Sequence, residues 1–475
     1  MRSSKIITLA LITMLLFACE KNEVFKNDSP EKDGISLKKA STNNSFLVIS
    51  KTNKLPNNLK KAIATANGSV INTISELGIA AVESNDPHFK AKAAKIKGIG
   101  AVVPNLKSQY LDPDEKKESI EVDFANPPVS GDDDFLFDLQ WGHDAVDAPE
   151  AWEAGYRGNG VLVGVLDTGF DLEHPDLAPN ISGLSMDFTG QGLQYTLPDV
   201  FSHGTHTAGT IAAADNAFGT IGIAPEAELV LIKVLNDEGS GYLFDILNGI
   251  MYAALVDVDV INMSIGSSFE KSGNVDDGYT ARDAAWYKNI YGRAITFAYQ
   301  RGTTVITSAG NAATDYDHSA DLMHLPSGAA HALSISATAP VGWAADPSTN
   351  LDVFAGYSNY GQSAIDFAAP GGNWDYWYEV GYAPCTVIGI TRYCFVFDYV
   401  FSTGGNGGWY WSVGTSMAAP HATGVAALII GKNGGSMEPG EVKEALKASA
   451  DDLGKPGNDD FYGQGRVNAF RAVTE

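Results

Sequence analysis

Three short segments of the chain contain residues that together could activate a serine hydroxyl. Ser416 lies in Gly-Thr-Ser-Met-Ala-Ala-Pro-His, His203 opens His-Gly-Thr-His-Thr-Ala-Gly, and Asp167 begins Asp-Thr-Gly. A serine hydroxyl is a poor nucleophile at neutral pH, so it needs a base in contact and a third group that orients the base. The residue types predict that Ser416 is a nucleophile, His203 its base and Asp167 the orienting carboxylate.

The elements that would position these residues are buried strands. Continuous apolar runs without polar alternation predict strands buried on both faces, hence a parallel sheet flanked by helices. The runs cover residues 161–166, 229–235, 258–263, 303–307, 333–337 and 365–368. Sites in such sheets form at the carboxyl ends of strands, and Asp167 and Asn311 both follow a run closely. The predicted class is therefore α/β with a parallel central sheet.

Ser416 is predicted to lie in the first turn of a buried helix rich in glycine and alanine. The backbone N–H groups of a first turn have no partner within the helix, and the helix dipole is positive there. Such a position suits a group that must support developing negative charge. Small residues also allow a close approach to a neighbouring backbone.

The order Asp, His, Ser along the chain separates this pattern from other serine hydrolases. The α/β-hydrolases have the order Ser, Asp, His, and the chain contains neither Gly-x-Ser-x-Gly nor His-Glu-x-x-His. The three segments resemble the three signatures of the subtilisin-like serine proteases, the subtilases, and the resemblance runs from about 141 to 473. It implies the three-layer fold of that family, serine endopeptidase activity on proteins or peptides, and no catalytic cofactor.

The resemblance also implies roles for other residues. Asn311, in Ser-Ala-Gly-Asn, matches the side chain that donates to the oxyanion, and Gly310 beside it is expected to contact substrate. Residues 264–266, that is Ser264, Ile265 and Gly266, are similar to the edge that pairs with an extended substrate. The alternative for these three residues is simply the end of a strand. His206 and His421 belong to the signatures but are interpreted as structural.

A structural calcium site is implied in the same way. Asp176 matches a calcium carboxylate of the family, and Asn216 lies in a loop that matches its calcium loop. Asp133 could complete an oxygen cage of the kind that calcium prefers. The alternative is a turn rich in Asp and Asn that binds no metal.

The region before the peptidase domain divides into a compact unit and a linker. Residues 45–111 show the order strand–helix–strand–strand–helix–strand, which is the ferredoxin-like motif. By itself this pattern favours a structural or interaction domain, but it resembles the inhibitory, chaperone-like propeptide of the subtilases. Residues 112–134 are charged and contain prolines, so we expect an exposed linker, cleaved by the enzyme itself, before the peptidase domain at 135–475.

The N-terminus is typical of an export signal. Arg2 and Lys5 precede an apolar run that is too short to span a bilayer in the usual way. Residues 16–19, Leu-Phe-Ala-Cys, resemble a bacterial lipoprotein box, which predicts a signal peptide at 1–18, lipid on Cys19 and a polar tether at 19–44. The alternative is an ordinary secretory signal cut near Ala18. The chain is expected to be membrane-anchored, in the periplasm or at the cell surface.

The two remaining cysteines are Cys385 and Cys394. In an oxidising compartment we expect them to form a disulfide that closes a small hairpin, the alternative being two free thiols. They lie in an insertion at 371–413 that is rich in aromatic residues and departs from the family pattern. Its aromatic residues either line the cleft or merely pack the hairpin, and the sequence favours neither.

Composition narrows the possible partners. The chain of 475 residues carries 57 acidic and 32 basic residues, for a net charge of −25. This balance argues against binding to a nucleic-acid backbone, which requires a basic face. Two rivals to a protease remain, a binding protein on a dead protease scaffold and a serine esterase. Every catalytic position is filled, which argues against the first.

Overall fold

The computed structural model describes residues 44–120 and 133–475. The predicted signal peptide, Cys19, the tether up to residue 43 and linker residues 121–132 lie outside the described residues. Within the described ranges, no helix combines the length and the hydropathy needed to cross a membrane.

Strands and helices are numbered here along the chain. The strands are β1 (Ser45–Ser50), β2 (Ser69–Ile74), β3 (Ile79–Glu83), β4 (Ile99–Pro104), β5 (Lys107–Gln109), β6 (Lys117–Ile120), β7 (Leu162–Asp167), β8 (Met186–Asp187), β9 (Glu228–Lys233), β10 (Ser240–Tyr242), β11 (Val260–Met263), β12 (Ser267–Glu270), β13 (Gly273–Asn274), β14 (Tyr279–Thr280), β15 (Thr304–Ser308), β16 (Leu322–Leu325), β17 (Ala332–Ala339), β18 (Val353–Phe354), β19 (Phe367–Pro370), β20 (Pro384–Val387), β21 (Ile390–Tyr393), β22 (Val400–Thr403) and β23 (Trp409–Ser412). The α-helices are α1 (Leu59–Thr65), α2 (Phe89–Ala93), α3 (Trp141–Ala145), α4 (Ala148–Glu153), α5 (His203–Ala212), α6 (Leu243–Leu255), α7 (Ala281–Gln300), α8 (Trp377–Val380), α9 (Thr415–Lys432), α10 (Pro439–Ser449) and α11 (Ala469–Thr474).

The N-terminal unit is a four-stranded antiparallel sheet in the order β2-β3-β1-β4, with α1 and α2 in the two crossovers. This is the predicted ferredoxin-like arrangement. Helix α2 is short, because it ends at Ala93 and the chain continues as a turn.

The central sheet has eight strands, in the order β18-β17-β15-β11-β7-β9-β8, with β19 beside β17. All of its pairings are parallel except that of β17 with β18. The six predicted apolar runs correspond to β7, β9, β11, β15, β17 and β19, which are buried on both faces because helices cover both, whereas the two-residue strands β8 and β18 match no predicted run. The predicted fold class is confirmed.

Alternate residues of one strand enter the two cores on either side of this sheet. In β9, Leu229 and Leu231 pack into the core that contains residues of α5 and α9, whereas Val230 and Ile232 pack into the core that contains residues of α6 and α7. This alternation follows from the period of two in a strand. The first core therefore places α5 and α9, whose first turns contain His203 and Ser416, on the same face of the sheet.

The N-terminal unit packs on the second of these cores. Leu47 and Ile49 of β1 share that core with α6 and α7. Lys90 forms an ion pair with Asp283, with Nζ and Oδ2 separated by 2.7 Å. The Tyr287 hydroxyl donates a hydrogen bond to the carbonyl of Pro104. Burial of aliphatic side chains therefore holds the unit on the peptidase region more than charge does.

Candidate active site

Asp167 lies at the carboxyl end of β7, near the middle of the central sheet. It is fully buried, and its carboxylate accepts hydrogen bonds from the backbone N–H of Thr168 and from the hydroxyl of Thr207. A buried carboxylate needs such donors because burial without them would be costly. The donors also fix the orientation of its two oxygens.

His203 is the first residue of α5, and a network of short polar contacts fixes the start of this helix. The hydroxyl of Ser202 accepts from the N–H of Thr205, as a helix N-cap does, and donates to the carbonyl of Gly169. The N–H of Gly204 donates to the hydroxyl of Thr168. The start of α5 is therefore tied to the loop that follows Asp167.

The imidazole of His203 contacts Asp167 directly. Its Nδ1 lies 2.8 Å from Oδ1 and 3.0 Å from Oδ2 of the carboxylate, and His203 is 2 % exposed. Burial acts to lower the pKa of His203, but attraction and hydrogen bonding by Asp167 outweigh it, so the pKa is raised above its usual value. Asp167 is thus placed to stabilise an imidazolium.

Ser416 lies in the first turn of α9, as predicted, and is 9 % exposed. Its hydroxyl donates to the carbonyl of Ser264 at 3.0 Å, and the Ser264 hydroxyl donates to the carbonyl of Ser416 at 2.7 Å. Asn262 donates to the same Ser264 hydroxyl and accepts from Thr423 of α9. These bonds join the end of β11 to the start of α9.

His203 and Ser416 are not hydrogen-bonded to each other in this structure. Nε2 of His203 is buried and has no hydrogen-bond partner among the described residues, while the Ser416 hydroxyl is engaged by Ser264. A catalytic hydrogen bond often tightens only when substrate binds. A rotation about the Cα–Cβ bond of Ser416 would free its hydroxyl from Ser264.

Asn311 lies beside the start of α9. Its Oδ1 accepts from the N–H and the hydroxyl of Thr415, at 2.9 and 2.7 Å, and the Thr415 hydroxyl in turn accepts from the N–H of Gly310. With Oδ1 held by Thr415, the amide Nδ2 remains as the donor. Asn311 can therefore offer a hydrogen bond to a developing oxyanion.

The predicted substrate edge contains a residue that the sequence analysis did not identify. A Cβ atom built on Gly266 would lie 2.2 Å from Cε1 of His324, and one built on Gly310 would lie 2.8 Å from its Nε2. Burial lowers the pKa of His324 to about 4, so the ring is neutral at pH 7. His324 thus packs between the two predicted substrate-binding glycines, and no local motif indicates this.

The chain pairs with the peptidase region both just before the linker and within it. Strand β5 pairs antiparallel with β10, and the N–H of Tyr110 donates to the carbonyl of Gly239. Asp112–Glu115 then form a turn in which the N–H of Glu115 donates to the carbonyl of Asp112. After the turn, β6 pairs antiparallel with β23, just before Ser416 in sequence.

Glu115 carries a buried carboxylate that contacts Ser412, just before Ser416 in sequence. Its side chain is 4 % exposed, accepts from the Ser412 hydroxyl at 2.6 Å and forms an ion pair with Lys117. Burial acts to raise the pKa of Glu115, yet attraction to Lys117 and His203 lowers it overall, and Glu115 in turn raises the pKa of His203. The expectation of an exposed linker is therefore wrong for Glu115 and β6, because Glu115 is buried and β6 pairs with β23, whereas Pro113, Asp114 and Lys116 are exposed as expected.

The residues predicted to bind calcium come from three separate segments. Oδ2 of Asp176 accepts from the N–H and hydroxyl of Thr220 and from the indole N–H of Trp409. Its Oδ1 is buried and has no hydrogen bond within the described residues. Burial raises the pKa of Asp176 to about 7. An orphaned carboxylate oxygen of this kind fits a cation that prefers oxygen ligands.

The acidic residues near this loop include two that the sequence analysis did not identify. Carboxylate oxygens of Asp133, Asp134 and Asp215 lie within 4.8 Å of one another. Buried Asp134 also accepts from the N–H groups of Asn216 and Phe218, at 3.3 and 2.9 Å. Asp134 therefore holds the loop that carries Asn216, whereas Asp133 is exposed.

The structure contains the predicted disulfide between Cys385 and Cys394, which joins the β20–β21 hairpin to the turn after it. The aromatic residues of the insertion divide into two groups. Tyr410 and Trp411 are fully buried in β23, whereas Tyr378 and Tyr393 are 72 % and 47 % exposed. The insertion is therefore partly core and partly a surface hairpin.

Comparisons with known proteins agree with this geometry. The model of the subtilase family matches residues 158–465. Subtilisin Savinase from Lederbergia lenta is 34 % identical over 335 residues, covering 70 % of this chain and 98 % of the relative. Thermitase from Thermoactinomyces vulgaris is 29 % identical over 342 residues, covering 72 % of this chain and 98 % of the relative. The crystal structure of the epidermin leader peptide processing serine protease from Staphylococcus aureus has a TM-score of 0.70 at 21 % identity, covers 91 % of this chain and 98 % of that one, and shows the shared fold.

Proposed function

This chain belongs to the subtilase family of serine endopeptidases, and we propose that it cuts peptide bonds through an acyl-enzyme on Ser416. The observation that carries this assignment is the buried Asp167–His203 pair, whose free Nε2 lies on the same face of the sheet as the start of α9. The geometry supports three roles: nucleophile, base and orienting carboxylate.

The reaction begins when Ser416 turns away from the Ser264 carbonyl. As Oγ attacks the scissile carbonyl carbon, its proton passes to Nε2 of His203, and Asp167 stabilises the resulting imidazolium. His203 then gives this proton to the leaving amine as the C–N bond breaks. Water attacks the acyl-enzyme in the same way, which returns the proton to Ser416 and releases the acid.

Negative charge on the carbonyl oxygen is met by Asn311 and by the first turn of α9. Removing one such donor costs about 2.7–4 kcal/mol of transition-state stabilisation, a value measured in subtilisin itself. Because Thr415 holds Oδ1, Nδ2 of Asn311 needs no reorganisation when the charge develops. The substrate residues that precede the scissile bond would be aligned by the edge at 264–266 (Ser264, Ile265 and Gly266) and by Gly310.

We further propose that the enzyme is made as a zymogen that cleaves its own linker. Residues 45–111 act as the inhibitory propeptide, supported by their packing against α6 and α7 and by the pairing of β5 with β10. The turn at 112–115 and the buried Glu115 keep this segment from an extended, cleavable conformation, so processing requires it to rearrange.

Export and calcium binding complete the proposal. The signal pattern at 1–18 and the lipobox-like Cys19 support a lipid-anchored protein in the periplasm or at the cell surface.

One structural calcium ion would be held by Asp176, Asn216 and Asp133, together with Asp134. Calcium would stabilise the 214–220 loop and takes no part in the proposed chemistry.

The first experiment compares the wild type with Ser416→Ala. The wild type is expected to react with a fluorophosphonate probe, to digest casein and to lose residues up to the linker. Ser416→Ala should remain unlabelled, inactive and full-length apart from removal of the signal. Normal maturation of Ser416→Ala without added protease would contradict self-processing, and hydrolysis of esters but of no peptide would favour an esterase. Ser363→Ala, a serine away from the site, serves as the matched control.

A further inference from the structure

The linker strand β6 pairs with β23, which ends just before Ser416 in sequence. Residues Lys117–Ile120 pair antiparallel with Trp409–Ser412, from Ser412 opposite Lys117 to Trp409 opposite Ile120. On its other side β23 pairs with β22. Without the linker, β23 is thus an edge strand whose unpaired N–H and C=O groups can bind another extended chain.

The direction of the linker shows which part of a substrate this edge would bind. The chain runs from β5 on β10 to Glu115, which accepts a hydrogen bond from the Ser412 hydroxyl just before Ser416 in sequence, and then along β23. A peptide that crosses the site in the same direction places its residues after the scissile bond on β23. This side of the cleft is separate from the edge at 264–266 predicted for residues before the scissile bond.

The disulfide-closed hairpin contributes a cation to this edge. Arg392 of β21 donates from Nη2 to the carbonyl of Ser119 at 3.2 Å, and its Nε lies 3.8 Å from Oε1 of Glu118. A guanidinium can hold a backbone carbonyl and a carboxylate together because its donors form a planar fork. Arg392 thus meets both the main chain and an acidic side chain of the bound strand.

An apolar position follows two residues later. Side chains of a strand alternate between its faces, so Glu118 and Ile120 share one face. Ile120 is 5 % exposed and packs into the main core of the peptidase region. Ser119, between them, is exposed.

We infer that β23 and Arg392 form a substrate site for residues after the scissile bond, selecting an acidic residue followed two positions later by an aliphatic one. This inference rests on the proposed function and names its substrate class. The linker segment Glu118-Ser119-Ile120 is the internal copy of the preferred sequence. The insertion is therefore a specificity element on the leaving-group side of the cleft.

The test uses the mature enzyme and internally quenched peptides with a constant half before the scissile bond. In a series of peptides, the triplet Glu-Ser-Ile starts at each successive position after that bond. At each position, two comparison peptides carry Lys-Ser-Ile or Glu-Ser-Ser in its place. In one register, kcat/KM should favour Glu over Lys by about threefold to tenfold, since an exposed ion pair is weak. Ile should be favoured over Ser by about tenfold or more.

Arg392→Glu should reverse the preference between Glu and Lys, whereas Arg282→Glu, an exposed arginine on α7, should leave it unchanged. A peptidyl p-nitroanilide has no residues after the scissile bond, so both variants should cleave it as the wild type does. Equal kcat/KM for Glu and Lys peptides in every register, or no change in Arg392→Glu, would overturn the inference while the proposed function stands. Failure to cleave any peptide, casein included, would instead refute the proposed function.

Discussion

At the scale of single residues, the site depends on a few polar groups whose environment sets their chemistry. Asp167 and His203 have almost no exposure to water, so their attraction is weakly screened and the imidazolium is stabilised. Ser416 is not yet in position to react, because its hydroxyl is hydrogen-bonded to the Ser264 carbonyl. The Asp167–His203 pair is therefore already arranged as proposed for a base, whereas the proposed nucleophile is held away from it.

Replacing Asp167 by Asn should keep the fold and nearly abolish activity. The amide is isosteric, but it would stabilise the wrong His203 tautomer and could not support the imidazolium. We expect kcat to fall by about 10⁴, the loss known for the same change in a different serine protease fold. Steady-state hydrolysis of a peptidyl p-nitroanilide measures it, with Asp276→Asn, an exposed carboxylate, as the control. A loss below tenfold would show that Asp167 does not orient the base.

At the scale of elements, the site depends on how closely α9 and α5 approach their neighbours. A Cβ atom built on Gly424 of α9 would lie 2.5 Å from Cβ of Ile223, and one on Gly209 of α5 would lie 2.0 Å from the Thr403 hydroxyl oxygen. These glycines let the two helices whose first turns contain His203 and Ser416 pack tightly. Their helix propensity is poor, but their small size is needed for the approach.

Gly424→Ala should therefore destabilise the protein although alanine favours helices. The added methyl group collides with Ile223, and overpacking of this kind costs about 1–3 kcal/mol. The matched control is Gly292→Ala in α7, where a Cβ atom meets nothing within 4 Å; there the helix should gain about 0.5–1 kcal/mol. Urea unfolding in the Ser416→Ala background measures both. Equal stability of the two variants would contradict the packing argument.

At the scale of the whole molecule, segments far apart in sequence are held together around the 214–220 loop. Asp134, Asp176 and Trp409 all contact this loop or each other. Trp409 belongs to β23, the strand that also carries the linker. A cation bound at Asp176 would thus support the 214–220 loop and one side of the cleft together.

Calcium should raise the melting temperature, and the gain should grow with pH. Without a cation, Asp176 is protonated in the folded state below a pKa of about 7, against about 3.9 when unfolded. The folded state then binds the extra proton, and the stability that this gives is lost as pH rises through 7. Calcium instead holds the ionised carboxylate, which adds about 2.7 kcal/mol at a hundredfold excess over Kd.

Thermal melts of Ser416→Ala protein, with calcium or with chelator, at pH 5 and pH 8 test this. The difference between the two melting temperatures should be larger at pH 8. Burial also raises the pKa values of Asp245 and Asp398 to about 7. Their titration affects the calcium and chelator samples equally, so it does not change the difference between the two melting temperatures. Asp176→Asn should remove the calcium effect, and identical melts with calcium and chelator would refute the site.

Much of this organisation could be predicted from local sequence. The apolar runs gave the parallel sheet because strands buried on both faces leave no polar alternation, and the βαββαβ order of residues 45–104 followed from short periodic segments. The three signatures predicted Asp167, His203 and Ser416, each from its own local segment, and the fold brings Asp167 and His203 into direct contact. His324, Asp134 and Glu115 carry no local signal, since each matters only through residues distant in the chain.

By itself, the sequence predicted the fold class and the family, both confirmed, and it proposed the residues that could activate a serine. Tertiary structure alone decided that the Ser416 hydroxyl rests on Ser264, that Glu115 is buried against Ser412 and that Arg392 contacts the linker on β23. The physical reason is the range of the forces involved. Strand patterns and helix starts depend on neighbouring residues. Hydrogen bonds and burial between distant segments form only once the sheet has brought those segments together.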